Sequence, residues 1–280
     1  MAENPNVAEY QDELAKNYNN LGLLQFDLGK RETALESHHQ ARAIRKKLVA
    51  NNPTMTLYSV DLGGSYCNIA NVLAGTDPIE SIEWYGKAID TLRSVVARDT
   101  QNATAAQFLR NSYRGRAITR NQLSRYTAAA DDWAQTIRLS AGANRDFFRM
   151  QRCRSLARAE NHRRATAEAE KLVSNLGTDG KKLYSVASVF SLSAKAAADD
   201  QSLDGDQRQQ VAATYARRAI DLLHEVSDSG YFHQADNLQE LRQHTDFDPI
   251  RSQEDFKALV GRLKIKSAAQ VKANGADEPR

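Results

Sequence analysis

Residues 4–24 read NPNVAEYQDELAKNYNNLGLL, and residues 52–72 read NPTMTLYSVDLGGSYCNIANV. Aligned at an offset of 48, the two stretches share Asn4/Asn52, Pro5/Pro53, Tyr10/Tyr58, Leu14/Leu62, Tyr18/Tyr66 and Asn20/Asn68. A looser third copy follows about 47 residues later, with Leu109, Tyr113 and Ala117 in the places of Leu62, Tyr66 and Ala70. A fixed period makes each copy one supersecondary unit that cannot bury its apolar face alone and must stack on its neighbours.

Each copy reads as two amphipathic helices joined by a short turn. In the first, Leu14, Tyr18, Leu21, Leu24 and Leu28 fall at steps of three and four and share a helical face, and Gly29-Lys30 breaks the pattern. Ala34, Leu35, His38, Ala41, Ile44 and Leu48 then mark a second helix, which Asn51-Asn52-Pro53 ends. Copy two turns at Gly75-Thr76-Asp77-Pro78 and copy three near Ser124-Arg125-Tyr126. Gly22, Ala34, Ala41, Ala70, Gly86, Ala88, Ala117 and Ala130 stand among bulky residues where helices must approach closely.

The motifs Tyr18-x-x-Leu21-Gly22, Gly29-Lys30 and Ala34-x-x-x-His38-x-x-Ala41 resemble the tetratricopeptide repeat (TPR). The unit is longer than the common one, like the extended repeats of kinesin light chains. It departs from the consensus with His38 at the usual aromatic position and with Ala70 and Ala117 where glycine would stand. The fold expected is all-α, an α-solenoid of about five antiparallel helix pairs. One domain over 1–263 is drawn, with units at about 7–52, 55–100, 104–141, 145–177 and 181–228, a C-terminal helical cap at 231–263 and a disordered tail at 264–280. Ala2-Glu3-Asn4-Pro5 matches the exit of a preceding repeat, which leads us to expect a C-terminal fragment or a chain trimmed at a repeat boundary.

A narrower resemblance lies near the end. Tyr184-Ser-Val-Ala-Ser-Val-Phe, Tyr215-Ala-Arg-Arg-Ala-Ile-Asp-Leu-Leu, Gly230-Tyr231-Phe232, and Asp246-Phe-Asp-Pro-Ile-Arg with Asp255-Phe256 look like the end of repeat regions in planctomycete-type bacterial proteins, many of them serine/threonine protein kinases. The resemblance implies an accessory region, since no Gly-rich loop after a strand, no His-Arg-Asp and no Asp-Phe-Gly is present.

Composition supports this reading. The chain is 280 residues long, 41% hydrophobic and 26% charged. Its mean hydropathy is −0.61, and no run of about 18 apolar residues offers a membrane span. Cys67 and Cys153 lack disulfide or zinc spacing, so a reducing, cytoplasmic setting is expected. Chemistry is hard to find. His38 and His39 are adjacent and diverge around a helix; His224 with Asp221 reads as a surface pair, and no nucleophile sits in a sharp glycine turn. Gly63-Gly64 lacks a phosphate-loop context, and the acidic turn 199–206 lacks the glycine and glutamate of a calcium loop. Arg152 and Arg154 flank Cys153 and favour its thiolate by proximity. No cofactor, no metal and no enzymatic activity are expected.

The charge distribution is the most informative feature. Residues 107–164 carry 13 arginines against Asp131, Asp132, Asp146 and Glu160, while both flanks are mildly acidic. In TPR proteins first helices line a concave surface that receives peptides. The resemblance therefore implies groove positions at Asn20, Asn68, Asn111, Arg114, Arg154 and Arg158, with Cys67 and Ile118 beside them. Arginine forks bind carboxylate or phosphate, and asparagine amides hold peptide backbone. A two-carboxylate clamp is not matched, because only Asn68 stands at a clamp position; Asn19 and Leu23 replace the first unit's Lys and Asn, and Asn111 and Gly115 the third unit's Lys and Arg. The expected function is a non-enzymatic protein–protein interaction scaffold that takes an acidic or phosphorylated segment, as an accessory region of a bacterial signalling protein kinase. The alternative is nucleic-acid binding through the arginine band, which interleaved aromatics do not support.

Overall fold

The computed structural model describes residues 5–142 and 144–274, with the side chains of 5, 6, 175, 176 and 266–274 left aside. Met1–Asn4, and with them the preceding-repeat match at Ala2-Glu3-Asn4, lie outside the described residues. Among the described residues every regular element is helical. The sequence reading draws one domain over 1–263; by its contacts the chain divides into two compact units, Met1–Arg145 and Asp146–Arg280.

The first unit is three helix hairpins: α1 (Pro5–Asp27) with α2 (Arg31–Asn51), α3 (Thr56–Leu73) with α4 (Pro78–Arg98), and α5 (Ala103–Gln122) with α6 (Tyr126–Arg138). Local chemistry sets the boundaries. Gly29 takes φ +77°, a left-handed turn open to glycine, between α1 and α2. Asp77 caps α4 by accepting from the Glu80 amide, with Pro78 as the first helical residue. Asn102 accepts from the Ala105 amide at the start of α5. Ala34, Ala41, Ala70, Ala88 and Ala117 are fully buried, which lets the helices approach. Leu92 at 0% exposure and Ile89 at 2% fill the middle of the core, at about 1.5–3 kcal/mol per buried side chain.

Two of the closest approaches fall at glycines the pattern does not single out. A Cβ on Gly63 would stand 2.5 Å from Leu92 Cγ, and one on Gly115 would run into the Tyr85 ring. Gly22 behaves as the motif implies, since a Cβ there would meet the His38 ring at 2.7–2.9 Å. Gly86 differs, having only the Arg116 guanidinium 3.8 Å away.

The second unit carries α7 (Asn144–Arg158), α8 (His162–Leu176), α9 (Gly180–Asp199) and α10 (Gly205–Asp228). A 3-10 turn (Tyr231–His233), α11 (Ala235–Gln243), a second 3-10 turn (Thr245–Ile250) and α12 (Glu254–Asn274) follow. The acidic stretch 199–206 serves as a helix start: Asp204 accepts from the Gln207 amide while the Gln207 side chain accepts from the Asp204 amide. Phe232, Leu241, Phe247, Ile250 and Phe256 are buried in the closing segment. The tail expectation needs correction over 264–274, because α12 runs on to Asn274; Gly275–Arg280 lie outside the described residues. Among the described residues no helix is long and apolar enough to cross a membrane.

Candidate functional site

In the first unit, α3 and α5 expose one face around a pocket of about 280 Å³. Cys67, Asn68 and Asn71 line it from α3, Tyr85 from α4, and Phe108, Asn111, Arg114, Gly115 and Ile118 from α5. Three of the residues singled out from the sequence therefore share one site: Asn68, Asn111 and Arg114. Asn68 is already engaged, its Nδ2 donating to Asn19 Oδ1 at 2.8 Å. Tyr85 forms the floor at 2% exposure, and its hydroxyl donates to Asn71 Oδ1 at 2.6 Å. Burial drives the phenol far above its ordinary value, so it stays a donor. The absent side chain of Gly115 admits the ring.

Two polar groups remain open here. Asn111 is half-buried and Arg114 exposed, and neither side chain makes a hydrogen bond or ion pair among the described residues. They lie three apart on α5, on neighbouring turns of one face. Ile118, four residues on and 43% exposed, adds an apolar contact. The arrangement offers a cation, an amide and a greasy ledge within one short stretch, chemistry suited to an acidic side chain next to an extended backbone.

Asn20 is elsewhere. It is exposed, does not line the pocket, and accepts at Oδ1 from Asn19 Nδ2 at 3.5 Å. The expected register on α1 is thus off by one, and Asn19 is the residue that reaches α3. Asn71, Tyr85 and Phe108 join the pocket without any motif of their own in the sequence. Gly115 was the one available signal, because a glycine inside a helix marks the close approach of something large.

Arg154 and Arg158 are corrected most. Both close on Asp246 of the second 3-10 turn: Arg158 Nη2 lies 2.6 Å from Oδ1 and Arg154 Nε 3.4 Å from Oδ2. The carboxylate is 2% exposed. Arg154 also donates from Nη2 to Ser188 Oγ at 3.3 Å, and burial lowers its guanidinium from the ordinary value against the pull of Asp246. These arginines fasten α7 to the closing segment of their own unit, and their charge is already engaged by Asp246.

The same holds for much of the arginine band. Arg116 grips Asp132 through Nε and Nη2 at 2.9 and 2.8 Å, and Arg120 reaches the same carboxylate at 2.7 Å. Asp132 is 2% exposed. Arg152 and Arg164 share Glu168, and Arg149 pairs with Asp146. Arg110, Arg114, Arg125, Arg138, Arg145 and Arg163 have no ion-pair partner among the described residues.

The remaining candidates are quiet. Burial pushes the Cys153 thiol up to about 12, opposite to the thiolate its flanking arginines suggested, and raises Cys67 as well. His38 is 1% exposed and sits on Gly22. His162 begins α8 and is buried, with Nε2 3.0 Å from Asp200 Oδ2 and Nδ1 3.5 Å from the Tyr215 hydroxyl. Hydrogen bonds from Ser202 first, then His162, hold Asp200 well below the usual carboxylate range. No group of three or more His, Cys, Asp and Glu side chains is placed to hold a metal ion among the described residues.

No protein-family model matches the chain, and no curated protein matches it. Solved structures similar to it include that of the MamA protein, 16% identical with a TM-score of 0.41 over 77% of this chain and 95% of that one. Another is a tetratricopeptide repeat protein from Parabacteroides merdae ATCC 43184, 12% identical with a TM-score of 0.27 over 90% of this chain and 99% of that one.

Proposed function

We propose that the protein is a non-enzymatic interaction scaffold whose first unit takes an acidic or phosphorylated peptide segment in the α3/α5 pocket. One observation carries the reading: Asn111 and Arg114 present an open amide and an open guanidinium side by side above the Tyr85 floor. The internal pairing of Arg116, Arg120, Arg152, Arg154 and Arg158 weighs against the nucleic-acid alternative, because those charges already face carboxylates. A role as an accessory region of a bacterial signalling kinase is supported by the closing sequence motifs from Tyr184 to Phe256. A reducing, cytoplasmic setting accords with the free, buried Cys67 and Cys153.

The test is an array of acidic, phosphorylated and neutral peptides probed with the wild-type chain and with Asn111→Ala/Arg114→Ala. Retention of acidic or phosphorylated spots by the wild type and their loss in the variant is expected. Equal retention by both places the binding surface away from this pocket.

A further inference from the structure

The repeat allows each residue of α1 to be compared with its counterpart 48 positions on in α3. Tyr58, Leu62, Ile69 and Val72 of α3 are 8%, 6%, 0% and 3% exposed, and Ser65 between them is sealed at 0%. The helix that covers this face is α2. From it Arg45 donates to the Asp61 carbonyl and Ser65 hydroxyl at 3.1 and 2.8 Å, and Arg31 reaches the Val72 carbonyl at 3.3 Å. On α1 the counterparts lie bare: Tyr10 is 74% exposed, Leu14 48%, Leu21 44% and Leu24 57%, with exposed Asn17 in the stripe. A continuous apolar face of four turns is thus shaped for a helix of the α2 kind, and such a stripe marks an interaction site.

Charge identifies that helix. α1 holds four acids and one lysine, a net −3, so a second α1 is repelled. α2 holds five basic and two acidic residues, a net +3. α12 has that same balance of five and two. Its buried side, Phe256, Leu259 and Leu263, faces its own unit. Its other side is open: Ala258 is exposed, a Cβ on Gly261 would meet nothing within 4 Å, and Ile265 is 72% exposed, with exposed Arg262 and Lys264 alongside. Its basic side chains correspond to those with which α2 reaches α3, Arg31 and Arg45.

We propose that the bare face of α1 is an interface for a second copy of this chain, covered by that copy's α12 in the position α2 takes on α3. The contact is heterologous, joining the first helix of one copy to the last helix of the next. It is independent of the peptide pocket.

Sedimentation velocity over a concentration series, with circular dichroism as a folding control, tests the idea. Three proteins are compared: the wild type, a chain with Leu21→Glu and Leu24→Glu, and a chain with Arg262→Glu and Ile265→Glu. All four positions are exposed, so the fold should hold; Tyr10→Ser/Leu14→Ser is a milder second version of the first block. The wild type should associate with concentration, each variant alone should stay at 31.2 kDa, and an equimolar mixture of the two should give twice that mass and stop there. A wild type that remains monomeric, a mixture that remains monomeric, or either variant associating as the wild type does would overturn the proposal. In particular, association of the α12 variant alone would mean that another occupant covers α1.

Discussion

Replacing Asp246 with alanine should be the most damaging single change in the second unit. The carboxylate is 2% exposed and faces Arg158 at 2.6 Å and Arg154 at 3.4 Å. Its removal leaves the Arg154 guanidinium, whose side chain is 23% exposed, inside the protein without a counter-charge. Breaking a buried pair in this way costs about 3–5 kcal/mol, against a total stability on the order of 5–15 kcal/mol for a domain. With a urea slope of about 2 kcal/mol/M, the midpoint should fall by roughly 2 M. Arg158→Ala should cost less, since its side chain is 31% exposed and its loss leaves Asp246 with Arg154. The double change Asp246→Leu/Arg154→Met should be milder than Asp246→Ala alone, because it removes the more buried arginine with the carboxylate and leaves only Arg158, 31% exposed, without its counter-charge. Urea titrations followed by circular dichroism measure all three. An Asp246→Ala midpoint within experimental error of the wild type, or a double change no milder than Asp246→Ala, would refute the view that the cluster is a mutually dependent ionic unit.

Two further outcomes concern the first unit. His38 has its pKa lowered to about 4, by burial first and then by Arg45 and His39. Its contribution is therefore present above the unfolded value of about 6.5 and is lost as pH falls toward 4, a total of up to about 3 kcal/mol; urea midpoints at pH 7 and 4.5 should show the loss, and it should shrink in His38→Phe. Gly115→Ala should destabilise by about 1–3 kcal/mol by forcing a methyl into the Tyr85 ring. Thermal melts should show part of that loss recovered when Tyr85→Leu is combined with it.

The helices were legible because their apolar spacing and turn residues speak locally. Gly29 with its positive φ, and Asp77-Pro78 as cap and first helical residue, sit where the pattern breaks. Motif alignment also brought Asn68, Asn111 and Arg114 to one pocket. It failed at Asn20 because one residue turns a helix by about 100 degrees, and hydrogen bonding chose Asn19 instead. The fate of Arg154 and Arg158 was hidden for another reason: their partner lies 88 positions beyond Arg158, and nothing in a charge count tells a solvated arginine from a paired one. The extension of α12 carries no periodic apolar signal and rests on propensity. Lysine, alanine and glutamine in 264–274 favour helix without any amphipathic stripe.

The Asp246 cluster also bears on how the chain acquires its structure in time. Hairpins of the first unit join residues close in sequence, so they can form early, each closing a short loop. The ionic fastening of α7 must wait until the chain has reached Asp246, and closing so long a loop makes it a late event. The second unit should consequently lock in one cooperative step, whereas the first can fray hairpin by hairpin. Amide exchange would then be graded along α1 to α6 and nearly uniform across α7, α9 and the segment that holds Asp246.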